Sequence, residues 1–361
     1  MTSTRLAPTR LPIASLRLGR STRLASRASL AAMALPLAVL PPRARADGDR
    51  ADGDRASGFV RDFGPSLRSL CNQPEGIAVD GRGRVYASSF AFAPVANICV
   101  LDEDGRVERV LAIPAAPGGI ASLLGMLFVP AEGLYVADFA DGVAPHGRLL
   151  RVDPRSGAAV TVTGGFAAPN GIARDRHGRL YVSASFLGQI VRVRPDGSQR
   201  EGWAESPRLK TNGQPPFGAN GLAFNAGEHF LYVANTGDST VLRIPVGPGG
   251  QAGPVEVFAS GAALDAAASG AQALHGADGI AFDARGNLWV CANQANEIQV
   301  LSPGGEILAR YRGAGAAALD FPASLVFRGR TLYLTNLSLG AAGANSKLSV
   351  MEAPFPGAPI H

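Results

Sequence analysis

The chain of 361 residues holds only three cysteines and five histidines, and 17% of it is charged. Cys71, Cys99 and Cys291 are too few for a disulfide scaffold, and none lies in a CxxC motif, which removes zinc-ribbon and thioredoxin-like readings. One pair could close in an oxidising compartment and leave one thiol over; burial as small apolar side chains is the simpler expectation. No apolar stretch of about 20 residues is present, so no integral membrane span is expected. Neither a G-x-S-x-G elbow nor a Walker sequence occurs, and Ser/His/Asp hydrolysis lacks a nucleophile context.

Negative charge is missing from the start of the chain. Residues 1–46 contain eight Arg and no Asp or Glu. Beyond them 26 basic residues face 29 acidic ones, so the formal net charge of +5 becomes −3 and no nucleic-acid partner is expected. The leader has the order of an export signal: an Arg-studded stretch, the apolar run SLAAMALPLAVL at 29–40, and the small-residue site Ala44-Arg45-Ala46. Its Arg- and Ser-rich, acid-poor character is shared with organellar transit peptides. It has no Arg-Arg pair, and no Cys follows the apolar run. We read 1–46 as an export signal, 47–58 as a flexible polar segment, 59–355 as one domain and 356–361 as a C-terminal tail. A periplasmic or extracellular monomer is the expectation.

What the sequence has in quantity is glycine (45) and proline (26), beside 46% hydrophobic residues, which suits many short strands and turns. One phrase recurs: PEGIAVDGRGRVYASS from 74, LGMLFVPAEGLYVAD from 124, PNGIARDRHGRLYVSA from 169, ANGLAFNAGEHFLYVAN from 219, ADGIAFDARGNLWVCAN from 277 and the degenerate PASLVFRGRTLYLTN from 322. The residue before the glycine marks each copy, and the markers are 49, 46, 50, 58 and 45 residues apart. Each copy reads as strand, tight turn, strand ending in an aromatic phrase, a third alternating strand and a fourth. That period with that content predicts an all-β, six-bladed propeller of four-stranded antiparallel blades. FVRDFG at 59–64 is expected to add a strand to the last blade and close the ring. ALDAAASGAQALHGA at 263–277 reads as a short helix or loop over one face.

The first strand of a propeller blade is innermost, so the marker positions form a ring at one mouth of the channel. They are Glu75, Leu124, Asn170, Asn220, Asp278 and Ala323. Two carboxylates and two amides brought together invite a proton or a cation. Oxygen ligands of this mixture suit Ca²⁺, with Mg²⁺ or Mn²⁺ compatible by ligand type; Zn²⁺ is less attractive because the ring has no His or Cys. Asn-Gly and Asp-Gly are also ordinary turn formers, but turn chemistry gives no reason for Glu75. Asp80, Asp175 and Asp283, five residues after their markers, are expected to cap the following turn. The aromatics Tyr86, Tyr135, Tyr181, Tyr232, Trp289 and Tyr333 are expected to pack.

QPEGIAVD, APNGIARD, GANGLAF and GADGIAFDARGNLWVCAN resemble the senescence-marker-protein/gluconolactonase (regucalcin-like) family over roughly residues 60–355, within a wider group holding paraoxonase-like and strictosidine-synthase-like propellers. The resemblance implies a divalent cation, often Ca²⁺, at the channel mouth, held by Glu75, Asn170, Asn220 and Asp278. It also implies hydrolysis of a lactone or ester. The cation would polarise the carbonyl and activate water. Asp278 is the first candidate general base and His275, three residues earlier, the second. A paraoxonase-like dyad is unsupported, because the second marker region reads ASLLGM. Phe90, Phe92, Phe139, Phe186 and Phe217 in the mouth loops are expected to form an apolar rim suited to a hydrophobic lactone. The alternatives are a non-catalytic propeller binding a ligand or protein, as NHL repeats allow, and a metal-free strictosidine-synthase-like reaction.

Overall fold

Residues 60–268, 271–339 and 343–359 are described by a computed structural model. Export-signal and polar-segment readings over 1–58 lie outside them. Six four-stranded antiparallel sheets follow one another along the chain, with innermost strands Pro74–Val79, Leu123–Val129, Pro169–Arg174, Ala219–Phe224, Ala277–Phe282 and Pro322–Arg328. Each packs against the innermost strand of the next blade, and the sixth returns to the first. Closure is completed by Arg61–Phe63, which pairs antiparallel with Lys347–Glu352 as the outer strand of blade 6. The sequence-expected six-bladed propeller is the fold. Within the long fourth interval, Gly261–Ala268 is a helix.

A single blade has two apolar faces and buries them only against neighbours. Six of the core clusters accordingly lie one at each blade junction. Between blades 1 and 2, Ile98, Val100 and Ile113 meet Leu123, Val136 and Leu150; between blades 6 and 1, Leu348 and Val350 meet Ile77 and Val85. The repeated aromatics belong to these layers, as expected, but their polar ends have a second task. Asp80 Oδ1 accepts the Arg82 and Arg84 amides, capping its turn, while Oδ2 accepts the Tyr86 hydroxyl at 3.1 Å. Asp175 with Tyr181, and Asp283 with Trp289 Nε1, repeat the arrangement at 3.1 Å. Burial beside Asp80 pushes the Tyr86 hydroxyl up to about 12, so it stays a donor throughout the ordinary pH range.

The cysteines depart from the simpler expectation. Cys71 and Cys99 form a disulfide with Cα atoms 6.0 Å apart, and Cys291 alone is a buried thiol. The segment entering blade 1 folds back over its third strand, where Asn97 Nδ2 donates to the Leu70 carbonyl at 2.6 Å, and this places Cys71 over Cys99.

Candidate functional site

Every innermost strand has its pairing register broken at the marker. The shifts fall between Pro74 and Ile77, Leu123 and Met126, Pro169 and Ile172, Ala219 and Leu222, Ala277 and Ile280, and Pro322 and Leu325. A bulge of this kind re-aims side chains and releases backbone groups from the ladder. The released groups tie one blade to the next. Ser88 Oγ accepts the Gly76 amide at 2.8 Å and donates to the Leu124 carbonyl at 2.9 Å. Ser183 does the same for Gly171 and Asn220, and Thr335 for Ser324 and Glu75, the last closing the ring. The approach is close enough to require glycine: a Cβ on Gly171 would stand 2.3 Å from the Asn220 carbonyl oxygen.

These bulges bring Glu75, Asn170, Asn220 and Asp278 to equivalent places around one axis, all buried. Glu75 Oε2, Asn170 Oδ1 and Asp278 Oδ1 have no hydrogen-bond partner. Asp278 Oδ2 accepts Asn293 Nδ2 at 2.8 Å. Asn220 Nδ2 donates to Thr236 Oγ1 at 2.9 Å, whose hydroxyl goes to the Ala277 carbonyl. Neither carboxylate has a basic partner among the described residues. Burial pushes Asp278 up to about 7 against the pull of the Asn293 hydrogen bond. It holds Glu75 well above the usual carboxylate range, with the Asp278 charge adding to the rise. The two acids therefore lie within each other's field.

Cys291 occupies in blade 5 the place of Ser88, Ser183 and Thr335. Its thiol is pushed up by burial and then by the Asp278 and Glu75 charges, so it is an inert wall of the site.

The remaining ring members, Leu124 and Ala323, belong to apolar groups. Leu124 packs with Phe90, Phe139, Phe186 and Phe217, while Ala323 packs with Phe321, Leu337 and again Phe90. Phe139 is the hub, with ring centroids 5.7 Å from Phe90, 6.0 Å from Phe92, 5.7 Å from Phe186 and 5.9 Å from Phe217. The five phenylalanines do assemble. They form a packed wall, since Phe139 is fully buried and only Phe92 is well exposed, at 38%. His275 lies at the entry to blade 5, half-buried, its Nδ1 without a partner. Burial lowers its pKa, opposed by the charge of Asp265 on the Gly261–Ala268 helix.

The oxygen atoms fit a hard cation. Buried acceptors without donors normally cost about 1–3 kcal/mol each, and three stand at the markers of separate blades here. The site is not an acid-rich cage: among the described residues no cluster of three or more His, Cys, Asp or Glu stands ready to hold a metal. Amide oxygens must supply the balance, as Ca²⁺ permits.

Asn293 and Thr236 were not anticipated. They stand four residues after Trp289 and Tyr232, where the other blades have Phe90, Phe139, Ser185 and Leu337. Reading that second ring as the first was read would have found them. Asn293→Ala removes the donor holding Asp278 Oδ2; the cation reading proposed below predicts that Ca²⁺ affinity by calorimetry then falls about 10–100-fold with little loss of fold.

Residues 208–338 match the family described as SMP-30/Gluconolactonase/LRE-like region. No curated protein matches the chain. Among solved structures, a gluconolactonase from Xanthomonas campestris is 18% identical with a TM-score of 0.56, over 80% of this chain and 88% of that one. A calcium-binding regucalcin from Agrobacterium tumefaciens is 17% identical with a TM-score of 0.57, over 84% and 95%. A luciferin-regenerating enzyme is 14% identical with a TM-score of 0.59, over 83% and 98%. At such identities the structures speak for the fold. The protein is a six-bladed propeller that carries an SMP-30/gluconolactonase/LRE-like region in residues 208–338.

Proposed function

We propose that the protein is an exported, divalent-cation-dependent hydrolase of hydrophobic lactones or related esters. The observation that carries this reading is the set of buried, donorless oxygens of Glu75, Asn170 and Asp278 at one channel mouth. In this reading Glu75, Asn170, Asn220 and Asp278 hold the cation, Ca²⁺ by ligand type. A cation there supplies a Lewis acid for the carbonyl and lowers the pKa of a nearby water. Asn293 fixes Asp278 Oδ2, and Oδ1, which has no donor, would both face the cation and accept a proton from a water beside it. His275 is the alternative proton acceptor. The phenylalanine wall stands on the blade 1–3 side of the same ring and would take the apolar part of the substrate, excluding water from one side of the reacting carbon. The Cys71–Cys99 bridge favours an oxidising compartment and so supports export.

Aliphatic and aromatic lactones tested with the purified protein separate the possibilities. Turnover is expected with medium-chain or aryl lactones, lost with chelator and restored by Ca²⁺. Chelator-insensitive turnover would overturn the mechanism, and Ca²⁺ binding without turnover would favour a binding propeller. His275→Gln should leave Ca²⁺ affinity unchanged. If it also leaves kcat unchanged, the base is Asp278; a fall in kcat above about tenfold would transfer the role to His275.

A further inference from the structure

Blade 3 departs from the repeat at two registers, and both departures are arginines on one cavity. Four residues after each marker the innermost strand faces the opening of the second strand: Val79 opposite Val85, Phe128 opposite Leu134, Phe224 opposite Leu231, Phe282 opposite Leu288 and Phe327 opposite Leu332. In blade 3 this otherwise apolar place is Arg174, opposite Leu180.

The second departure opens the turn after the third strand. Asp102, Asp153 and Ser302 cap that turn in blades 1, 2 and 5, each side-chain oxygen accepting two backbone amides. Blade 3 has Arg194 there instead, and the turn is held by Asp196 Oδ1, which accepts the Ser198 amide at 2.9 Å.

Arg174 and Arg194 line a cavity of about 410 Å³ together with His177, Gly178, Arg179, Pro195 and Asp196. Glu132 and Asp175 balance Arg174 at 2.9 Å and Arg179 at 2.6 Å, but neither acid is in the cavity wall. Asp196 is the one acid lining it, against three arginines. Arg174 Nε is buried and has no partner, a cost that an apolar side chain at this register would avoid.

We propose that this cavity binds a phosphoryl dianion, free or carried on a small molecule. Guanidinium forks match phosphate oxygens in pairs; Glu132 and Asp175 hold Arg174 and Arg179, and Gln199 Oε1 accepts Arg194 Nε at 2.7 Å. The volume is that of a small-molecule site. The cavity lies at the turn end of the innermost strands, opposite the ring of Glu75 and Asp278, so the inference is independent of the proposed hydrolysis.

Titration calorimetry on the full chain at low ionic strength tests it with inorganic phosphate, glucose 6-phosphate and glucose. Both phosphate compounds are expected to saturate one site with Kd below about 1 mM, and glucose to be silent. Tighter binding of the ester by fivefold or more would assign the carried form, and equal binding the free ion. Arg194→Asp restores the cap of blades 1 and 2, and Arg174→Phe restores the side chain of four other blades. Each should weaken binding at least tenfold and keep the unfolding midpoint. Should Arg174→Phe fail to fold, Arg194→Asp decides alone. Heat reproduced by sodium chloride of matched ionic strength, or phosphate binding retained in Arg194→Asp, would overturn the proposal.

Discussion

Asp278→Ala will reduce Ca²⁺ affinity by more than about 100-fold and lactone turnover by at least about 1,000-fold, the largest loss expected of any single substitution. The residue is one of only two carboxylates on the ring, and Oδ1 is its donorless atom. Removing it also strands Asn293 Nδ2, which has donated to Asp278 at 2.8 Å. The cation-free protein should nevertheless become more stable, because Asp278 is buried beside Glu75 with no basic partner. Opposite signs for cation affinity and apo stability are what a functional site predicts and a structural carboxylate does not. Calorimetry with Ca²⁺ and thermal unfolding in chelator read the two quantities separately. Retention of wild-type Ca²⁺ affinity in Asp278→Ala would remove this residue from the ligand set.

Raising the pH from about 4 to about 7 in chelator will lower the unfolding midpoint. Asp278 has its pKa at about 7 in the folded chain, against about 3.9 when unfolded. Between those values the folded state holds the extra proton, so its stability is fully present below about pH 4 and is lost as the pH climbs through 7. Asp278 alone contributes at most about 4 kcal/mol across that window. The raised Glu75 acts in the same direction. His275, whose pKa is lowered, acts in the opposite direction, since it gains a proton on unfolding at the lower pH values. The readout is therefore the difference between wild type and Glu75→Gln/Asp278→Asn, which should show almost none of the decline. Ca²⁺ replaces the proton and should flatten the wild-type curve as well. A wild-type midpoint that rises from pH 4 to 7 in chelator, with the double variant parallel to it, would refute the account.

Much of the fold was legible because a propeller repeats its instructions. Strand alternation, the Asp80-type turns and the aromatic phrase each recur, so errors at one copy are corrected by the others. The closing strand, expected from FVRDFG at 59–64, is Arg61–Phe63. The marker ring was legible for the same reason: equivalent sequence positions become equivalent places around an axis. Two features were not. The phenylalanines were expected as a rim, but Phe139 is drawn inward by contacts with four rings from three other loops. The disulfide depends on how the segment before blade 1 doubles back, which no spacing of three cysteines encodes.

The sequence by itself determined the number of blades, their strands and which residues stand at the markers, because these follow from local periodicity repeated six times. Only the tertiary structure decided that a bulge breaks the register at every marker, that Asn293 and Thr236 support two of the marker side chains, and that three oxygens are left without donors. Asn293 and Thr236 come from the same blade as the residues they hold, 15 and 16 positions further along the chain, and a strand's own pattern carries no record of what its neighbour offers.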